Sequence, residues 1–240
     1  MNRPLLLDLF CGAGGAAVGY ARAGFEVVGV DIAPQKHYPY ACYQDDALHV
    51  LALLLSGQTW HGYHLHDFAV LHASPPCQGY SRSRHIQSRE HPMLLDVVRE
   101  RLTKTGLPWI MENVAGAPMP SFLVLCGTHF GLNVYRHRQF EASHLLLAPG
   151  PCAHPRALLP GYVCIFGKTV NGHQTGCRGN HYQRYSLAYG HVAMGIDWNM
   201  THTELSQAIP PAYTTFLGQQ LVTLADGCSS THPLESEVLA

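Results

Sequence analysis

Two side chains with complementary chemistry follow strand-like runs in this chain. Cys77 closes the segment Ser74-Pro-Pro-Cys, and Glu112 lies within Trp109 to Val114. A thiolate is a strong nucleophile, and a carboxyl group close to it can give or take a proton. Most free cysteines are only small buried hydrophobes, so position has to decide. Cys77 sits just past the apolar run Ala69 to Ala73, with two prolines fixing the backbone ahead of it. Strand ends in a parallel sheet share one crevice, so Cys77 and Glu112 can meet although they are 35 residues apart. A glutamate buried there needs a partner or a proton, and Arg136-His-Arg138 supplies two guanidinium groups for that purpose.

A second signal lies near the start, in Asp8-Leu-Phe-Cys-Gly-Ala-Gly-Gly15. Glycines allow a tight turn and a close approach to the backbone, and the helix that follows presents free N–H groups. Asp31, at the end of the next strand-like run, is placed to accept bonds from ribose hydroxyls. The spacing is neither the dinucleotide glycine fingerprint nor a Gly-Lys-Ser/Thr phosphate loop.

These residues need a scaffold, and the pattern supplies one. Leu5 to Phe10 reads as a strand, Ala16 to Ala23 as a helix stopped by Gly24, and Glu26 to Val30 as a strand ending at Asp31. Ala47 to Leu55 and Pro92 to Lys104 read as helices, Ala69 to Ala73 and Trp109 to Val114 as strands. This alternation predicts an α/β fold, a doubly wound and mainly parallel sheet with helices on both faces. Residues 145–199 are rich in Gly, Pro, His and Tyr without helical period and read as a small lobe of loops and short strands. The expected division is a catalytic domain at 1–144, the lobe at 145–199, a segment at 200–225 that returns to the catalytic domain as a helix from Ala212, and a frayed tail at 226–240.

Composition narrows the class. Only 13% of the 240 residues are charged and 10% are aromatic, which excludes a mostly disordered chain. The longest apolar stretch in mid-chain, Val50 to Leu55, is far short of a membrane span, and Asp8 interrupts any signal-like core. A cytoplasmic protein with reduced thiols is the expectation for the eight cysteines. Residues 71–200 hold twelve Lys/Arg against six Asp/Glu, which hints at a surface facing a polyanion.

Taken in order, Asp-Leu-Phe-Cys-Gly-Ala-Gly-Gly, Ser-Pro-Pro-Cys-Gln, Glu-Asn-Val and Arg-x-Arg resemble the motifs of the DNA cytosine-C5 methyltransferases. The likeness covers roughly residues 4–143 and, more weakly, 192–224, and is greatest to short phage-type members. It implies the methyltransferase form of the Rossmann-like fold, with S-adenosylmethionine as methyl donor. On this resemblance Asp8, Phe10, Cys11, Gly12, Ala13, Gly14 and Gly15 would form the cofactor turn. Asp31 would hold the ribose, Ile32 would flank the adenine, and Asp46 with Ala47 would meet its amino edge. Pro76, Pro211 and Ala212 would complete the pocket. Cys77 would add to cytosine C6, Glu112 would bond the N3 and amino edge, Arg138 would hold O2, and Arg136 would support Glu112 or the thiol.

The resemblance also implies double-stranded DNA with its target base flipped out, a monomeric enzyme, and a role in restriction-modification or phage self-protection inside a bacterial or phage-infected cell. The segment after the nucleophile carries Ser81, Arg82, Arg84 and Arg89 and reads as a loop closing on phosphates, with Gln78 or a serine filling the gap left by the base. The lobe would read the target sequence. Its Cys152, His154, Cys164, His173, Cys177 and His181 could supply a tetrahedral zinc site that staples the lobe, but their spacing matches no zinc-finger pattern, and no metal is the expectation. Three positions depart from the family: Val134 where Gln is frequent, Ile209-Pro210 where Gly-Asn is usual, and Asp31 where Glu is common. Two other readings share these residues. One is the same chemistry on RNA or with a modified donor; the other is a catalytically silent DNA-binding relative.

Overall fold

The computed structural model describes residues 3–76, 93–152, 160–165 and 185–228. The apolar runs become strands β1 (Leu5–Leu9), β2 (Glu26–Asp31), β4 (Phe68–Ala73) and β5 (Trp109–Val114). Three shorter strands join them: β3 (Ala41–Gln44), β6 (Leu123–Leu125) and β7 (Arg138–Ala142). The sheet order is β3-β2-β1-β4-β5-β7-β6. β1 to β5 are mutually parallel, and β7 runs antiparallel to both β5 and β6.

The two-residue period of a strand sends successive side chains to opposite faces. Leu7, Leu9, Val28, Val30, Leu71 and Met111 pack on one face against α2 (Ala47–Leu55) and α3 (Leu95–Lys104). Leu6, Val27, Val70 and Ile110 pack on the other against α1 (Gly15–Ala23) and α6 (Pro211–Cys228). Burial on both faces is why these strands read as near-continuous apolar runs. A third apolar cluster joins Ala13 and Val134 to α4 (Leu187–Met194), α5 (His202–Gln207) and the residues between them.

Several elements differ from the sequence expectation. α4 occupies ground read as loop: its core period is weak, but Ser186 caps its start through the Tyr189 N–H and Gly195 ends it with φ 67°. α3 starts at Leu95 rather than Pro92, and α6 runs on to Cys228, so 226–228 is helix rather than tail. β7 was hidden by its polar residues, which have specific partners. Arg99 grips both oxygens of the buried Glu141 at 2.7 and 2.9 Å, and Gln139 accepts the Gly116 N–H at 2.7 Å. Cys11, Cys42, Cys126 and Cys152 are free thiols, whereas Cys164 is disulfide-bonded, against the expectation of reduced cysteines. None of the described helices is long and apolar enough to cross a membrane.

α1 and α6 approach closely because Gly19 lies at their crossing. A β-carbon there would sit 1.9 Å from Thr214 Oγ1 and 2.2 Å from the Pro211 carbonyl. Gly19→Ala is therefore expected to cost about 1–3 kcal/mol through overpacking, a drop of roughly 2–12 °C in melting temperature for a chain of this size. Thermal unfolding by circular dichroism checks this, and an unchanged midpoint would contradict the packing.

Candidate active site

The carboxyl ends of β1, β2, β4 and β5 open on one side of the sheet, laced together by their outgoing backbones. Cys11 N–H donates to the Val30 carbonyl at 3.0 Å, Ser74 N–H to Leu9 at 3.0 Å and Asp45 N–H to Asp31 at 3.0 Å. The Ser-Pro-Pro turn leaving β4 is pinned to β5, because the Asn113 side chain donates to the Pro75 carbonyl at 3.0 Å. The residue that follows Pro76 is Cys77, which lies outside the described residues.

Glu112 is the centre of this corner. It is 7% exposed, and Arg138 Nε donates to its Oε1 at 2.9 Å. Burial pushes its carboxyl above the usual range, while Arg138, then Arg136, then a bond from Ser74 pull it back without restoring it. A carboxyl group raised in this way keeps its proton to higher pH than a free one, and in that form it can donate a hydrogen bond as well as accept one. Arg138 also donates from Nη1 to the His137 carbonyl at 2.9 Å, which fixes its plane.

A buried polar chain stands behind Glu112. Tyr20 Oη lies 3.0 Å from His72 Nδ1, and His72 Nε2 lies 2.9 Å from Ser74 Oγ. Burial lowers His72 to about 3, so its ring is neutral and has one donor and one acceptor. The consistent assignment has Tyr20 donating to Nδ1, Nε2–H donating to Ser74, and Ser74 donating to Glu112. Sequence reasoning quoted Ser74 only as part of a motif and missed Tyr20 and His72. A histidine inside the apolar run of β4 was the available signal.

Arg136 is also held by backbone carbonyls from distant segments. Its guanidinium donates to the Ile165 carbonyl at 2.5 Å and the Ser206 carbonyl at 2.7 Å. Its own carbonyl accepts from Tyr213 Oη at 2.5 Å. It ties β7 to segments far along the chain and reaches Glu112 through its charge. Val134, at the position where the resemblance leads one to expect Gln, is fully buried in the third apolar cluster and bridges Val163.

Residues 5–120 match the family model for C-5 cytosine-specific DNA methylase. The matched segment is just under half of the chain. The chain is 27% identical over 157 residues to the type II methyltransferase M.XorII of Xanthomonas oryzae, covering 58% of this chain and 31% of that protein. It thus spans about a third of the length of this curated relative. Among solved structures it is similar to Spodoptera frugiperda DNMT2, with TM-score 0.63 and 12% identity over 91% of this chain and 99% of that one. It is also similar to S. pombe Dnmt2, with TM-score 0.56 and 13% identity over 94% and 100% of the two chains. At those identities the likeness concerns the fold, which is the Rossmann-like methyltransferase fold.

C-5 methylases use S-adenosylmethionine, and the residues at the methylase turn fit such a group. Phe10 has φ 59°, an uncommon state for a bulky residue, and turns the chain out of β1. A β-carbon added at Gly12 would meet nothing within 4 Å, so open space faces its backbone. Asp31 accepts the Gly12 N–H at 3.0 Å and the Ala33 N–H at 2.9 Å, which aligns its carboxylate with the turn. Ile32 is 71% exposed at the end of β2, an apolar side chain available to flank a flat ring. In the Asp45-Asp46 pair, Asp45 is engaged with His49 and Trp60. Asp46 caps α2 through Oδ1, and its Oδ2 has no hydrogen bond among the described residues. Pro76, at the end of the Ser-Pro-Pro turn, is half-buried.

Other members of the expected cofactor set serve the interior. Asp8 is a correction: it is fully buried in β1, bonded by Tyr38 Oη at 3.2 Å, and lies behind the turn rather than in the crevice. Cys11 packs inward with its sulfur 3.7 Å from that of Cys42. The Ala13 carbonyl accepts the Trp198 indole N–H at 3.0 Å. Gly14 lies against Pro39 and Gly15 against the backbone of Ile209, where a β-carbon would come within 2.6 and 2.3 Å respectively. Ala47 and Pro211 are buried, and Ala212 is half-buried at the start of α6. Gln78, Ser81, Arg82, Arg84 and Arg89, expected on DNA, lie outside the described residues, as do His154, His173, Cys177 and His181.

Burial raises Asp8 to about 8 from an ordinary 3.8, with Tyr38 opposing and Cys42 and Asp31 adding to the rise. A carboxyl raised in the folded state binds more protons folded than unfolded, so its contribution to stability falls as pH rises from about 4 to about 8. Asp8→Asn is expected to remove this slope and to stabilise the fold most at pH 8, by up to several kcal/mol. Urea denaturation at pH 5 and pH 8 checks it; an equal or steeper loss in the variant would contradict the assignment.

Proposed function

We propose that this chain transfers a methyl group from S-adenosylmethionine to C5 of a cytosine flipped out of double-stranded DNA. The observation that carries the reading is the buried Glu112–Arg138 pair, set beside the turn that delivers Cys77. Cys77, as thiolate, adds to C6 of the ring and makes C5 electron-rich. Glu112 holds N3 and the exocyclic amino group and supplies a proton at N3 as negative charge builds. Arg138, with Nε on Glu112 and Nη1 on the His137 carbonyl, has an Nη2 without a hydrogen bond among the described residues, and this group holds O2. Groups placed before the charge develops are the usual largest source of rate enhancement. S-adenosylmethionine supplies the electrophilic methyl group when bound.

Phe10, Gly12, Asp31, Ile32, Asp46 and Pro76 bind the cofactor, and the backbone around Gly14 and Ala13 shapes the turn. Gln78, Ser81, Arg82, Arg84 and Arg89 engage DNA around the flipped base. The enzyme acts as a monomer in the cytoplasm, as the modifying part of a restriction system or in self-protection of phage DNA; likeness to a type II methyltransferase supports the former. Tritiated methyl transfer to unmethylated duplex DNA, with bisulfite sequencing of the product and RNA in parallel, tests the reading. Label in DNA at defined cytosines supports it. Label confined to RNA would replace the substrate, and label in neither from folded, cofactor-binding protein would make the chain a binding protein.

A further inference from the structure

On the far side of the Arg136-His-Arg138 segment, three soft ligands from separate parts of the chain converge. Cys126 follows β6, His137 stands between the two arginines, and Cys152 opens the segment leading into the lobe. One ligand atom from each lies within 4.8 Å of the other two. His137 Nε2 is 3.4 Å from Cys152 Sγ. A tetrahedral zinc with Zn–S about 2.3 Å and Zn–N about 2.0–2.1 Å sets an S···N edge of roughly 3.5 Å. The spacing therefore needs little adjustment to hold the ion.

We propose that Cys126, His137 and Cys152 form a zinc site with a fourth position open to water. Thiolate and imidazole together select zinc over hard cations such as magnesium or calcium. Both cysteines are free thiols, so no disulfide competes for the sulfurs. Cys126 is buried, and its sulfur caps the short 3-10 turn Gly127–Phe130, accepting backbone N–H bonds of the kind that orient a metal thiolate. His137 and Cys152 are half-buried, which leaves a path for the ion. The spacing of the lobe's own cysteines and histidines gave no such site, because two of the three ligands lie outside the lobe in sequence.

The consequence is mechanical. A metal here ties the strand that carries Arg138 to the end of β6 and to the start of the lobe. The site is independent of the methyl-transfer reaction and can be tested without it. The full chain purified without chelator is expected to contain about one zinc per molecule by elemental analysis. Cys126→Ser and Cys152→Ser are expected to lose it, and Cys42→Ser to keep it. Cobalt(II) exchanged into the wild-type chain is expected to show sulfur-to-cobalt charge-transfer absorption with tetrahedral visible bands, a readout that needs no variant to fold. Metal content unchanged in both serine variants would overturn the proposal. So would a wild-type chain that takes up neither zinc nor cobalt, or recovery of Cys126 and Cys152 as a disulfide in peptide mapping.

Discussion

Cys77→Ala is expected to abolish methyl transfer, lowering kcat by on the order of 10⁴-fold or more, the scale seen when a covalent nucleophile is removed. Cytosine C5 is a weak nucleophile, and the remaining groups act on charge that develops only after a thiolate has added to C6. Arg138 and Glu112 then have little to stabilise. Binding should survive, because the turn residues Phe10, Gly12 and Asp31 belong to other strand ends. S-adenosylmethionine affinity by calorimetry is therefore expected to change by less than about threefold. Loss of activity together with loss of cofactor binding would point to a structural role for Cys77.

Glu112→Gln is expected to lower kcat by about 10²–10⁴-fold, the range for removing a positioned acid. The amide keeps the shape and can still accept from Arg138, but it has no proton to give to N3. It also leaves Arg138 without its carboxylate, so some of the loss will appear in KM. Glu112→Asp separates the two effects: it keeps the charge and retracts the carboxyl by one methylene. Its activity should fall between wild type and Glu112→Gln. Because burial raises the Glu112 carboxyl while Arg138 opposes it, activity that uses the protonated form is lost as pH rises through that value. The Gln variant should show a flatter profile there. Equal rates for wild type and Glu112→Gln across pH would remove Glu112 from the chemistry.

Much of this site could be read before any coordinates because its markers stand at the ends of apolar strands. The glycine turn, Asp31, the Ser-Pro-Pro turn and Glu112 each follow a run that can only be buried. Partnerships across the sheet were less legible. Arg136 and Arg138 share a two-residue spacing, which suggested a shared role. Arg136, however, precedes β7 and donates to carbonyls 29 and 70 residues further on, a pairing no local pattern encodes. Asp8 shows the converse. It shares the β1 face of Leu6, which packs against α1 and α6, so the alternation already placed it inside; the motif suggested a ligand contact instead. α4 escaped notice because Gly190 and Tyr189 interrupt any apolar stripe, and its stability comes from caps and packing on Leu205 and Tyr185. The Cys126, His137 and Cys152 cluster was invisible for the same reason as Arg136: its members meet only through the sheet.

The most direct test of the central claim uses duplex DNA in which cytosine carries fluorine at C5. After thiolate addition and methylation, C5 has no proton to lose, so the enzyme remains bonded to the base. Incubation with S-adenosylmethionine should give a species that survives denaturing electrophoresis, and peptide mass mapping should place the bond on Cys77. A chain that methylates ordinary duplex DNA yet forms no such species, or forms it through another residue, would contradict the covalent Cys77 mechanism.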